Sequence, residues 1–170
     1  ANSGSLGAAG NGQFKGGMLN GLAGPRPTAF SGFESANYAA RFNGNNATVD
    51  VPYSASLNPA GPFTVECWVR PALMNAQQCP LSSINWGSGR RAGYLFYQTS
   101  LNAWEFRMGN NSTTYVVILT GGTVQQGAWH HLVAVYDGSA ATLYVNGVNV
   151  GTKALSGTYV ANTTAPFRLG

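Results

Sequence analysis

Few residues of this chain could carry acid–base, nucleophile or metal chemistry: five carboxylates, two histidines and two cysteines among 170 residues. The acids nearest in sequence, Glu34 with Asp50 and Asp50 with Glu66, are each sixteen residues apart. A retaining glycosidase needs two carboxyl groups about 5–5.5 Å apart, most simply from acids two or four positions apart on one strand face. Glu66 and Glu105 could still meet across a sheet, so glycoside hydrolysis ranks third among the readings and no catalytic residue is expected. In the structural reading, Glu66 shares a strand face with Trp68 and Arg70 and bonds across the sheet. His130 and His131 are consecutive, so on a strand they point to opposite faces and cannot jointly hold one ion. Packing and hydrogen bonding within a sheet is their expected role. The sequence has no G-x-S-x-G elbow. Gly87–Ala92 matches G-x-G-x-x-A, but Gly93-Tyr94-Leu95-Phe96-Tyr97 reads as a strand where a dinucleotide site needs a helix.

Three softer candidates remain. Asp50, Asp137 and Asn43, with Asn45 and Asn46 beside it, offer hard oxygens that suit calcium; turn formation is the competing role, since few carboxylates attract a dication weakly. Cys67 and Cys79 are twelve apart, and a disulfide between them would constrain the unfolded chain by roughly 3 kcal/mol. A buried free thiol at Cys67 is the alternative. Tyr53, Trp86 and Tyr97 lie in or near turns, where an exposed ring stacks on a sugar, whereas Trp68 and Trp129 sit in the best-defined strands and are expected in the core.

The elements that must position these residues are strands. Only 8% of the chain is charged, against roughly a quarter in an ordinary soluble domain, while 44% is hydrophobic and 12% aromatic. Such a chain buries enough apolar surface to fold, and its Gly, Asn, Ser and Thr content opposes exposed helices. Short runs recur between turn signals: 39–42, 47–51, 63–70, 81–86, 94–99, 104–108, 115–119, 129–136, 142–145 and 148–152, preceded by a Gly-rich opening with one short strand near 13–18. Asn146-Gly147 between two such runs is a two-residue hairpin turn. In the run from Phe63 to Arg70, Phe63, Val65, Cys67 and Val69 share the core face. In the run from Trp129 both faces are partly apolar, which places that strand inside a sheet covered on both sides. The sequence predicts one all-β domain over 1–170, an antiparallel sandwich. Its net charge is +4, but Arg26, Arg41, Arg70, Arg107 and Arg168 are scattered singly, which argues against nucleic acid. No apolar run approaches the length of a membrane helix.

FNGNNATVDVPYSASLNPAGPFTVECWVRP, followed by GAWHHLVAVYDGSAATLYVNGVNVG, resembles the laminin-G-like, concanavalin-A-like jelly-roll family in the form common in secreted bacterial multidomain proteins. The resemblance runs in family order across nearly the whole chain. It implies a jelly roll, an extracellular or cell-surface location, and calcium at the sandwich rim in several relatives. It also implies a further closing strand after Phe167–Gly170, supplied beside the opening strand at 13–18 by the same precursor or a neighbouring subunit, unless Thr158–Leu169 closes the sheet itself. The reading is a non-catalytic binding or adhesion module that recognises carbohydrate or a protein surface through rim loops. A structural subunit of a larger surface or envelope assembly is the alternative.

Overall fold

Antiparallel pairing accounts for every strand contact in the computed structural model, which describes residues 4–170. One sheet has seven strands: β1 (Gln13–Lys15), β4 (Thr48–Val51), β6 (Gln78–Asn85), β7 (Ala92–Gln98), β8 (Ala103–Gly109), β9 (Tyr115–Thr123) and β13 (Phe167–Leu169), in the order β1-β4-β13-β6-β7-β8-β9. The second holds β5 (Phe63–Val69), β10 (His130–Tyr136), β11 (Ala140–Val145) and β12 (Val148–Ala154), in the order β12-β11-β10-β5. A separate hairpin joins β2 (Leu19–Ala23) to β3 (Tyr38–Arg41). Ala92–Gln98 is indeed a strand, so the glycine-rich match before it does not open a helix.

The alternation read from the sequence sets the two faces. Across the seven-stranded sheet, register aligns Val49, Leu169, Leu81, Phe96, Phe106 and Leu119 in one inner row. All of them except Val49 meet Val65, Leu132, Ala134 and Leu143 of the four-stranded sheet in one apolar core. The next residue on each strand forms an outer row: Asp50, Arg168, Ser82, Leu95, Arg107 and Ile118. The Asn146-Gly147 turn has positive φ at both positions, 54° and 79°, as a two-residue hairpin loop requires.

His130, Leu132, Ala134 and Tyr136 are buried, and His131, Val133 and Val135 are half-buried on the other face, so β10 is covered on both sides as its composition predicts. The histidines point apart. His130 Nε2 accepts the Gln125 N–H at 3.1 Å, and burial lowers the pKa of its ring. Two tryptophans depart from expectation. Trp68 lies not in the core but on the outer face of the four-stranded sheet, stacked on His131 at 4.7 Å and met edge-on by Phe30 and Phe33. The Gly-rich opening segment supplies that cover, which alternation within β5 could not reveal. Trp129 is half-buried just before β10.

The C-terminal residues also differ from expectation. Phe167–Leu169 is itself a strand, inserted between β4 and β6 and not beside the opening strand β1. Among the described residues, the end strands of the two sheets, β1 and β9 in one and β12 and β5 in the other, have one unpaired edge each. Phe14 on the inner face of β1 is 66% exposed.

Candidate functional site

The outer face of the seven-stranded sheet carries a hollow of about 250 Å³ whose floor is drawn from the outer row. Leu95 and Tyr97 come from β7, Arg107 from β8 and Arg168 from β13; Trp86, just after β6, and Tyr115, at the start of β9, form one wall. Trp86 is 51% exposed and stands edge-on to Tyr115 at 6.3 Å. Guanidinium groups alternate with the rings: Arg91 lies 5.3 Å from the Trp86 centroid and 5.0 Å from that of Tyr115, and Arg107 lies 4.0 Å from Tyr97. Such contacts hold flat cations against flat rings and add of order 1 kcal/mol each.

Arg168 and Arg107 are each aimed by a carboxylate. Arg168 donates Nε and Nη2 to the two oxygens of Asp50 at 2.6 and 2.9 Å, and Lys15 adds a third contact at 2.7 Å. The Arg168 hydrogen bond is the main cause that holds the Asp50 pKa down at about 2, against the opposing pull of burial. Glu105 accepts Arg107 Nε at 2.6 Å and the Thr120 hydroxyl at 3.0 Å. Burial pulls the Arg107 pKa down, but Glu105 and Tyr115 together outweigh it and keep the guanidinium charged. Arg91 is placed by its backbone, bridged to Ser112, and by Gly109, where a Cβ would come within 2.1 Å of the Arg91 carbonyl oxygen.

Of the three rings expected to bind ligand, Trp86 and Tyr97 line this one hollow, and Tyr53 stands apart, 40% exposed in the loop after β4. Sequence reasoning missed Tyr115, Arg107 and Arg168. The alternation Trp104-Glu105-Phe106-Arg107-Met108 was the available signal for Arg107, since it places Glu105 and Arg107 together opposite the core.

Two pairs of carboxylates do not meet. Glu66 and Glu105 lie on the two opposite outer faces of the sandwich, with the core between them. Asp50 and Glu105 share a face but are four strand spacings apart, about 19 Å, beyond the ~6.5–9.5 Å of an inverting pair. The oxygens expected to hold calcium serve the chain itself. Asp50 is filled by two cations; Asp137 Oδ1 accepts the Ser139 and Ala140 N–H groups, and Asn43 Oδ1 accepts those of Asn45, Asn46 and Ala47. No cluster of three or more His, Cys, Asp or Glu forms among the described residues. Cys67 and Cys79 are free thiols and not a disulfide: Cys67 faces the core and Cys79 the hollow. Burial pushes their pKa values up to about 12 and about 11.

No curated protein matches the sequence. Among solved structures, the binding domain of Paraclostridial Mosquitocidal Protein 1 superposes with a TM-score of 0.69 at 16% identity, over 97% of this chain and 40% of that one. An HCR/D mutant gives 0.54 at 12% identity, over 73% of this chain and 31% of that one. The carbohydrate binding module CBM66 from Bacillus subtilis gives 0.46 at 12%, over 90% and 91%. The chain therefore spans less than half the length of the first two, and these likenesses concern the fold. Residues 43–170, three quarters of the chain, match the family model of the concanavalin A-like lectin/glucanases superfamily, and the chain belongs to that superfamily.

Proposed function

We propose that this chain is a non-catalytic carbohydrate-binding module that works outside the cytoplasm and takes its glycan on the outer face of the seven-stranded sheet, not on the rim loops. One observation carries the reading: Trp86, Tyr97 and Tyr115 converge from three parts of the chain on a single open hollow. A sugar ring has an apolar face and polar edges, and aromatic side chains flanked by fixed hydrogen-bond donors complement both. Isothermal titration and affinity electrophoresis of the purified chain against a panel of soluble polysaccharides test it. Trp86→Ala and Tyr97→Ala each remove an anchor worth about 2 kcal/mol and lower affinity about 30-fold, with the melting curve unchanged. A chain that binds no glycan, or variants that bind as well as the wild type, would refute the reading; saturable binding to a protein surface alone would replace it.

A second reading, the assembly subunit, draws on the unpaired edge of β1, which carries the exposed Phe14. An open edge beside exposed apolar surface is a configuration natural proteins cover, and an added strand from a neighbouring subunit joins chains through main-chain hydrogen bonds. Sedimentation over a range of concentrations checks it: a chain that stays monomeric throughout speaks against self-assembly.

A further inference from the structure

We propose that the glycan taken by this face is acidic, bearing carboxylate or sulfate groups; this rests on the carbohydrate-binding reading and names its ligand class. The face and its rim hold five cations, Lys15, Arg90, Arg91, Arg107 and Arg168, against two carboxylates, Asp50 and Glu105. That excess is most of the +4 net charge of the whole chain. The other acids lie away from it: Glu66 on the opposite sheet, Asp137 in the β10–β11 turn and Glu34 in the segment before β3.

The two carboxylates orient the guanidiniums and do not use them up. Arg168 gives Nε and Nη2 to Asp50, which leaves its remaining edge for a ligand, and Arg107, held by Glu105 through the same two nitrogens, keeps its charge on the floor beside Tyr115. Arg91 has no carboxylate partner among the described residues, and its Nε is buried without a hydrogen-bond acceptor. A neutral sugar laid across Trp86 and Tyr115 would bury that charge further with nothing to offset it, at a cost in affinity. A carboxylate or sulfate on the same ring supplies the acceptor in the two-pronged geometry that guanidinium favours.

The spacing separates a glycan from a nucleic acid. Arg168 and Arg107 are three strand spacings apart, about 14 Å, with Ser82 and apolar Leu95 between them. A polymer that carries its charge ring by ring fits isolated guanidiniums on a floor that also accepts ring faces. A nucleic-acid strand carries a phosphate about every 3.4 Å and calls for denser positive charge.

The test measures affinity of the intact chain for polygalacturonate (carboxylate), dextran sulfate (sulfate ester), neutral dextran and neutral xylan, with oligo-dT and polyglutamate as non-glycan polyanions, at 50 and 300 mM NaCl. At least one acidic glycan is expected to bind tenfold or more tighter than either neutral polymer and to weaken severalfold at the higher salt; which one binds distinguishes uronate from sulfate. Arg91→Gln is expected to lose at least tenfold for the acidic glycan and less than threefold for a neutral one, and Arg91→Lys to restore only part. The paired variant Arg107→Gln with Glu105→Gln, which leaves no buried charge alone, is expected to follow Arg91→Gln. Equal affinity for neutral and acidic glycans overturns the acidic assignment and leaves the carbohydrate reading intact. Failure of every glycan overturns both. Oligo-dT or polyglutamate binding as tightly as the acidic glycan, with the same dependence on Arg91, overturns the proposal in favour of a general polyanion surface.

Discussion

Replacing Asp50 by Asn removes the only carboxylate tied to two cations among the described residues, and its consequence depends on pH in a definite direction. The Asp50 side chain is 6% exposed, and its pKa is lowered from 3.8 to about 2, chiefly by the Arg168 hydrogen bond. A carboxylate whose pKa falls on folding stabilises the native state above its unfolded value, and that stabilisation is lost as the pH drops through the folded value. The full shift corresponds to about 2.4 kcal/mol at neutral pH. Lys15 and Arg168 are 52% and 45% exposed, so solvent screening reduces the expected contribution to about 1–2 kcal/mol.

Urea unfolding of wild type and Asp50→Asn from pH 7 down to pH 2 measures this. At pH 7 the variant is expected to be less stable by about 1–2 kcal/mol, or about 2–8 °C in Tm for a domain of this size. The gap closes between about pH 5 and pH 2, and 0.5 M NaCl narrows it at every pH. The Asp137 pKa is also lowered, by the Ala140 and Ser139 N–H groups, but both proteins keep it, so its effect cancels in the difference. A gap that stays constant from pH 7 to pH 2 would refute the reasoning, because the loss would then come from shape and not from charge.

The other predictions rest on separate features. Phe106 is fully buried between the sheets, and Phe106→Ala is expected to cost about 3–5 kcal/mol in urea unfolding. Gly147 has φ 79°, so Gly147→Val is expected to lower stability by about 1–2 kcal/mol, read as a Tm shift, with no change in strand content by circular dichroism. Cys67 and Cys79 are half-buried thiols with raised pKa values, so iodoacetamide at pH 8 is expected to label them slowly in the native chain and fully in guanidinium; fewer than two labels under denaturing, non-reducing conditions would mean a disulfide after all. Excess EDTA is expected to leave Tm unchanged, since Asp50, Asp137 and Asn43 already have partners within the chain; a clear fall in Tm would restore the calcium assignment.

Strands were legible wherever a local rule governed them. Asn146-Gly147 needs two left-handed residues, and Phe63–Val69 alternates strictly, so turn and core face followed from a few neighbouring residues. Phe167–Leu169 is only three residues long and has no pattern of its own; it is a strand because β4 and β6 leave a gap that it fills. Trp68 misled for a related reason. Strand alternation assigns it correctly to the face opposite Cys67, but only tertiary structure shows that Phe30 and Phe33 cover that face.

The proposed binding face was the least legible part, and the strand order explains why. Arg168 and Arg107 are 61 positions apart in sequence and three strands apart in space, because the last strand inserts in the middle of the sheet. Their isolation along the chain reads as an even scatter of charge, whereas register puts them in one outer row, and the β6–β7 connection brings Arg91 and Trp86 to its end. The same insertion explains the fate of Asp50. An acid in an Asn-rich stretch reads as an ion ligand until a strand from the far end of the chain lays a guanidinium beside it. Charge that is sparse in sequence is therefore concentrated by topology, and a chain with so few ionised groups places most of its excess on one face of one sheet.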